Sequence, residues 1–281
     1  MNEDGLPLTH ALRAAELAKS SWYYRSHPRP PRPLNPKLVA AIEAAWPGTR
    51  GVYGYRKVWI ALRTGGLRVN KKAVLRHLRV MQRLQPRKVK GRRWTRPRVV
   101  KPTVSNVYWE MDLTYVWCGS RFGYLFAVVD ACDKGIPGAR MGDRCRAVEA
   151  VEALEEAVAA RFEGGRVPEG HRLILRVDRG SQFVARRFRE AAKALNVVLE
   201  YAGIQCPEDK PYIESFFGHY KIEEVYRNAY ASLPEAQAGW KLYRVWYEAD
   251  RVHQSLGYQT PQAVRHGALD LVLSKAQNGT V

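Results

Sequence analysis

Three short segments of the chain place single acidic residues where they could do chemistry. The segment RVDRGSQF, residues 176–183, ends an apolar run with Asp178 and continues with a glycine. The segment DKPYIESFF, residues 209–217, puts Glu214 in the first turn of a predicted helix that is rich in aromatic residues. A third acid, Asp112, interrupts the alternating segment VYWEMDLTYVW, residues 107–117, although strand propensity disfavours aspartate there.

Carboxylates without cysteine or histidine partners suit hard divalent cations such as Mg²⁺ or Mn²⁺. Two such ions about 3.5–4 Å apart can activate an attacking oxygen and stabilise a leaving oxygen at a phosphodiester. The alternative is three unrelated solvent-facing acids, which stays open because the chain has 27 acidic residues. Asp130, Asp133 and Asp209 are competing candidates for the same role.

The elements that must position these acids follow from the hydrophobic pattern. Strands are predicted at 107–117, 124–130, 139–141, 172–178 and 197–201, and helices at 147–162, 183–195 and 212–226. This order predicts a mixed α/β sheet that opens with an antiparallel hairpin and continues with parallel crossovers. Asp112 then lies opposite the apolar strand face, and Asp178 lies at a strand end, where such sheets bind ligands. Glu214, Gly218 and Lys221 share one face of the last helix.

The net charge of +19 is concentrated in the first third of the chain. Residues 1–101 hold 24 basic and 4 acidic residues, whereas the remaining 180 residues hold 22 basic and 23 acidic residues. This asymmetry predicts a polyanion-binding arm attached to a separate body. Removal of the arm is expected to abolish DNA binding and to leave the body folded.

Within the arm, two predicted helices favour a helix-turn-helix. Gly65 and Gly66 end the first helix, and Asn70 caps the second. The cationic side chains expected to contact DNA are Lys71, Lys72, Arg76, Arg79 and Arg83 on the second helix, and Arg92 and Arg93 in the linker after it. A solvated basic face is the alternative interpretation.

The predicted organisation has six segments. They are a short helical segment at 1–27 with a turn near Ser20 and Ser21, a Pro-rich linker at 28–36, a helix-turn-helix-like domain at 37–84, a basic linker at 85–104, the α/β domain at 105–230, and a helical region at 231–281. The four cysteines form no metal-binding pair, and no apolar run is long enough to span a bilayer, so a reducing cytoplasm is expected.

The sequence motifs around the three acids resemble those of a known family. The 35 residues between Asp178 and Glu214 look like the D,D-35-E signature of retroviral integrases and integrase-like transposases. The segments YGYRKVWIAL, DLTYVW, DRGSQF, ESFFGHYK and DRVHQSLGYQTPQAV resemble the second-reading-frame transposase of bacterial insertion sequences that encode two overlapping frames. The likeness runs in order from about residue 10 to 266.

The resemblance implies an RNase H-like catalytic domain with Asp112, Asp178 and Glu214 as catalytic ligands of two Mg²⁺ or Mn²⁺ ions. It implies nicking at transposon ends, attack of the 3′-OH on a target phosphodiester, and contact of Lys221 with the DNA end. The implied partners are transposon-end and target DNA, further copies of the chain on DNA, and the upstream-frame protein of the same element, but no membrane. The implied location is the nucleoid.

The sequence departs from the family pattern at three places. Arg176-Val177 replaces a His-Ser pair, Asp209-Lys210 replaces an Asp-Asn pair, and Val252 replaces a proline. The departures leave all three acids in place. Two alternatives to a transposase stay open, namely an inactive or domesticated DNA-binding regulator and a generic RNase H-like nuclease.

Overall fold

The computed structural model describes residues 7–24, 32–85, 101–203 and 210–267. The chain divides into two compact units, Met1–Pro36 and Lys37–Val281. The first unit contains helices α1 (Leu8–Ala14) and α2 (Lys19–Tyr23). The turn expected near Ser20 and Ser21 is wrong, since both residues lie inside α2. The chain turns earlier, because Glu16 adopts a left-handed backbone with φ of 54° after α1 ends.

The basic region continues with α3 (Pro36–Ala45), α4 (Tyr55–Thr64) and α5 (Lys71–Val80). The Asn70 cap is confirmed, since its side chain accepts a hydrogen bond of 2.8 Å from the Lys72 backbone N–H. Helix α5 ends at Val80, and Gln82 follows with a left-handed φ of 55°. Arg83 therefore lies beyond α5 and not on its face, which corrects the predicted length of this helix.

The sheet has five strands in the order β3-β2-β1-β4-β5. They are β1 (Tyr108–Cys118), β2 (Arg121–Asp130), β3 (Gly138–Gly142), β4 (Leu173–Val177) and β5 (Val197–Tyr201). Strands β1, β2 and β3 pair antiparallel, whereas β1, β4 and β5 pair parallel. The predicted mixed sheet is confirmed.

Helices cover both faces of this sheet. Trp109, Met111 and Phe126 pack with α6 (Ala147–Arg161), α7 (Ser181–Val184) and α8 (Arg186–Ala194) on one face. Helices α9 (Pro211–Glu223) and α10 (Leu233–Ala249) cover the other face, and α11 (Pro261–Arg265) follows. The single helix predicted at 183–195 is two helices, because Ala185 has an extended ψ of 142°. The helix predicted at 212–226 begins at Pro211 and ends at Glu223.

Helices α3, α4 and α5 share one hydrophobic core with α9 and α10. Side chains from α3, α4 and α5 cluster with side chains from α9 and α10, among them Leu38, Ile42, Val58, Leu62, Leu78, Phe216, Tyr220, Trp240 and Tyr243. The Trp246 indole N–H also donates a hydrogen bond of 3.0 Å to the Gly48 carbonyl. Removing residues 1–101 would expose this apolar surface, so the structure argues against a separable arm. The six-segment division stays a prediction.

Within the described ranges, no helix is both long enough and apolar enough to cross a membrane.

Candidate active site

Two of the predicted catalytic acids lie side by side because their strands are neighbours. Strands β1 and β4 pair parallel, with Glu110 opposite Arg176. Asp112 and Asp178 each lie two residues beyond this pair, so their side chains project on the same face of the sheet, one from β1 and one from the end of β4. The carboxylates of these two residues, distant in sequence, therefore meet on the α9 side.

A lysine ammonium group lies between these two carboxylates. Lys210 Nζ is 2.9 Å from Asp112 Oδ2 and 3.5 Å from Asp178 Oδ2. The lysine side chain is only 8% exposed, whereas Asp178 is 42% exposed. Both contacts are ion pairs and not well-directed hydrogen bonds. A single cationic group thus holds together the two acids that the sequence predicts as metal ligands.

Each aspartate is also fixed by a nearby backbone N–H. Asp112 Oδ1 accepts a hydrogen bond of 2.8 Å from Leu113, and Asp178 Oδ1 accepts one of 2.8 Å from Gly180. A Cβ atom at Gly180 would lie 2.5 Å from Gln182 Nε2 and 2.8 Å from Asp178 Oδ1. A side chain at this position would displace Gln182 or the Asp178 carboxylate, and the second oxygen of each acid is left to face the shared cation.

Glu110 fixes the start of the helix that carries Glu214. Its buried carboxylate accepts hydrogen bonds of 2.9 Å from the backbone N–H groups of both Tyr212 and Ile213. Lys210, at the N-cap position of α9, provides no side-chain cap, so Glu110 supplies this function from the sheet. Burial raises the pKa of Glu110 to about 7, although the two N–H groups, Arg176 and Lys134 oppose the rise.

Glu214 lies one turn along α9 from Lys210. Its backbone N–H donates a 3.2 Å hydrogen bond to the Lys210 carbonyl, and its side chain is exposed at the edge of a large cavity. Among the residues that the structure describes, no three His, Cys, Asp or Glu side chains lie close enough to hold one metal ion. The structure therefore brings Asp112 and Asp178 together, and Glu214 forms no three-residue ligand cluster with them.

The competing acids have structural partners. Asp130 is buried and accepts hydrogen bonds from the Asn106 backbone N–H at 2.6 Å and the Trp109 indole at 3.0 Å. Asp133 is buried in an ion pair of 2.9 Å with Arg161. These contacts explain both acids through the fold, and Asp209 lies outside the described residues.

The donor set is partly suited to a divalent cation. Two carboxylate oxygens, which are hard ligands, converge on one cation position that an ammonium group now fills. Asp112 and Asp178 therefore fit Mg²⁺ or Mn²⁺ by their chemistry. Lys210 is the residue in conflict, since its charge and the metal would compete for the same oxygens.

The residues predicted to contact DNA have different environments. Lys71, Lys72 and Arg79 are exposed on α5, whereas Arg76 is half-buried. Arg83 is 3.3 Å from Glu43 and lies 4.8 Å above the Trp46 ring, so it also packs against α3. Lys221 is half-buried on α9, and no heavy atom lies within 4 Å of a Cβ built at Gly218. Arg92 and Arg93 lie outside the described residues.

Three family models match the chain. Residues 102–205 and 196–261 match two models described as "Integrase core domain", and residues 33–91 match one described as "HTH-like domain". The two core models together span the sheet, α9 and α10, where Asp112, Asp178 and Glu214 lie. The chain belongs to the integrase-core family. The expected integrase core and helix-turn-helix-like region are confirmed.

Relatives of this integrase-core chain come from bacterial insertion sequences. A Mycobacterium tuberculosis protein of insertion sequence element IS986/IS6110 is 27% identical over 260 residues, covering 87% of this chain and 93% of that protein. The Shigella sonnei transposase for insertion sequence element IS629 is 27% identical and covers 80% of this chain and 77% of its own length. A simian T-cell lymphotropic virus intasome chain shares the fold, with a TM-score of 0.50, 18% identity, and coverage of 82% of this chain and 76% of that chain.

Two residues of this integrase-core site were missed by sequence reasoning. Lys210 had a signal, because it replaces the asparagine that the family pattern places before the glutamate helix. Glu110 had a weaker signal, since it is a second acid on the Asp112 strand face. Its contact with α9 joins residues 102 positions apart, which no local pattern reveals.

Proposed function

We propose that the chain is a DNA transposase of the DDE type, which binds transposon ends, nicks the DNA and joins the 3′-OH to a target phosphodiester. The observation that carries this proposal is the convergence of Asp112 Oδ2 and Asp178 Oδ2 on one cation position. The integrase-core match and the insertion-sequence relatives support it.

Asp112, Asp178 and Glu214 are the residues proposed to hold Mg²⁺ or Mn²⁺. When bound, two such ions would activate the attacking oxygen and stabilise the leaving oxygen of the phosphodiester. The residues of the chain orient the site. The backbone N–H groups of Leu113 and Gly180 hold the two aspartates, and Glu110 fixes the first turn of α9. Lys210 must release the carboxylates before they can serve as ligands.

The proposed partners are DNA ends and target DNA. Lys71, Lys72, Arg76, Arg79, Arg83, Arg92 and Arg93 are proposed to contact the ends, and Lys221 to contact the strand beside Glu214. Further copies of the chain on DNA and an upstream-frame protein complete the proposal. Phosphate contacts of this kind make binding strongly salt-dependent.

The test is nicking and joining of plasmid DNA that carries the element ends, with Mg²⁺ supplied. Wild-type chain is expected to nick and to give joined products, and Asp178→Asn is expected to do neither while binding the DNA equally well. Equal nicking by both chains would remove Asp178 from the mechanism. Nicked DNA without joined products would identify a nuclease of the same fold and not a transposase.

A DNA-binding regulator without catalytic activity is the second candidate. It is favoured by the ammonium group of Lys210, which occupies the two carboxylates, and by the position of Glu214 outside their pair. DNA binding by the wild type with no nicking at any Mg²⁺ or Mn²⁺ concentration would select this function.

A further inference from the structure

A large cavity lies between α4 of the helix-turn-helix-like region and the first turns of α9. Its volume is about 1490 Å³, which exceeds the roughly 300–1,000 Å³ of ordinary small-molecule sites. Its walls come from α4, the chain after β2, the first turns of α9 and the chain after α10. Glu214 lines it, so the cavity opens next to the proposed catalytic residue.

The charged side chains of the lining are mostly basic. Lys57, Lys101, Lys134 and Arg251 contribute to the walls, and Glu214 is the acid among the described lining residues. Arg251 is neutralised, because its guanidinium donates two hydrogen bonds of 2.7 Å to Glu223 behind the wall. Lys57 has no such ion pair among the described residues, whereas Glu110, Asp130 and Asp133 lie near enough to Lys134 to favour its charged form.

Lys57 is the least compensated of these charges. It is half-buried on α4 with its ammonium 4.9 Å from the centre of the Tyr53 ring, and no carboxylate in the described part of the chain forms an ion pair with it. Burial, and then Arg251, lower the pKa of Lys57 to about 7, and Glu223 only partly offsets this. A partly buried ammonium without an anion costs stability, and an anionic ligand would relieve this cost.

Lys134 and His253 differ in their electrostatic surroundings. Burial lowers the pKa of Lys134 to about 8, although Cys132 and nearby acids oppose the fall, and its ammonium lies 3.6 Å from the centre of the Tyr212 ring. Burial, followed by Arg251 and Lys57, holds the pKa of His253 far below its usual range. The side of the cavity formed by Lys57 and His253 therefore resists further positive charge and would stabilise a fixed negative charge.

The tail motif, residues 250–261, builds one wall of this cavity. The Arg251–Glu223 ion pair ties the motif to α9, and the His253 ring packs 4.9 Å from the centre of the Tyr247 ring. The chain then turns at Gly257, where φ is 67°, and returns so that the His253 N–H donates a 2.9 Å hydrogen bond to the Gln259 carbonyl. This motif contributes no residue to the two-aspartate site, and its role in the structure is to form one wall of the cavity.

We propose that this cavity binds a backbone phosphate of a DNA strand, with Lys57 as its main contact and Lys134 as its second, and so holds the strand beside Glu214. The inference rests on the proposed function, because it assumes that DNA is the substrate. A phosphodiester carries a permanent negative charge that can pair with the Lys57 ammonium. The size of the cavity suits a length of polymer better than a single small molecule.

The test compares Lys57→Met with Lys193→Met in the full chain. Lys193 is an exposed lysine on α8, which packs on the opposite face of the sheet, so it controls for the loss of one positive charge. Affinity for a fluorescently labelled duplex is measured by anisotropy over a range of salt concentrations, and Tm is measured by thermal unfolding.

Lys57→Met is expected to weaken DNA binding about tenfold, since a charged contact is lost, and to lower the salt slope by about 1. Its Tm should equal or exceed that of the wild type, because a buried charge has been removed. Lys193→Met should bind DNA as the wild type does.

Equal affinity of the two variants would overturn the assignment, and so would a fall in the Tm of Lys57→Met that accompanies its weaker binding. Failure of the wild type to bind any duplex would refute the proposed function itself. Binding and nicking by the wild type, together with an unaffected Lys57→Met, would refute only the phosphate site.

Discussion

The Glu110 carboxylate should make the stability of the folded chain fall as pH rises from 4.5 to 7. Its pKa is raised from 4.5 to about 7 in the folded state, because the group is buried under α9. Between these two values the folded chain holds a proton that the unfolded chain has lost. Folding is therefore favoured by this group at low pH, and that contribution disappears as the pH passes through about 7.

The magnitude follows from the pKa change. One pKa unit corresponds to about 1.4 kcal/mol, so the rise from 4.5 to about 7 corresponds to about 3 kcal/mol. Glu110→Gln keeps an oxygen that can accept the Tyr212 and Ile213 N–H groups but carries no charge at any pH. The variant should match the wild type in stability below pH 4.5 and exceed it by about 3 kcal/mol above pH 7.

The assay is urea unfolding of both chains at intervals from pH 4.5 to 9. Glu169→Gln, which changes an exposed glutamate on a loop, is the control for the charge change alone. A stability difference that stays constant across this range would refute the reasoning. A difference that grows toward low pH would mean that the two N–H groups outweigh burial.

Three further substitutions test other contacts. Lys210→Met should lower the unfolding free energy by about 2 kcal/mol without metal. This value is smaller than for a fully buried ion pair, because the Asp178 carboxylate is 42% exposed. Mg²⁺ should raise the Tm of this variant more than that of the wild type. Glu223→Gln should cost about 3–5 kcal/mol in urea unfolding, because it leaves the buried Arg251 without its counter-charge. Gly218→Ala should raise the unfolding free energy by about 1 kcal/mol, because its Cβ meets no atom within 4 Å and alanine favours a helix. The first expectation would be contradicted if Mg²⁺ raised the Tm of Lys210→Met no more than that of the wild type. Unchanged stability of Glu223→Gln would contradict the second, and a lower Tm of Gly218→Ala would contradict the third.

The order of strands and helices could be read from the sequence because each element has a strong local pattern. The alternation in β1 and the apolar run of β4 fix their type, and Asn70 marks the start of α5 through a cap that is local. The break at Ala185 and the left-handed Gln82 could not be foreseen, because neither site has a glycine or proline to mark it.

The candidate site was predictable as a set of residues but not as a geometry. That Asp112 and Asp178 lie side by side depends on the register of β1 against β4, which tertiary packing decides. The occupation of their oxygens by Lys210 depends on where α9 begins, at Pro211. The role of Glu214 as a metal ligand stays a prediction, since it forms no three-residue ligand cluster with Asp112 and Asp178.

The common core of α3, α4, α5, α9 and α10 bears on where this chain would cut a bound DNA duplex. Because these helices pack into one core, the face of α5 proposed to contact DNA is held at a fixed distance from the acids proposed to cut the strand. The number of base pairs between the bound DNA sequence and the broken bond would then be set by this side-chain packing.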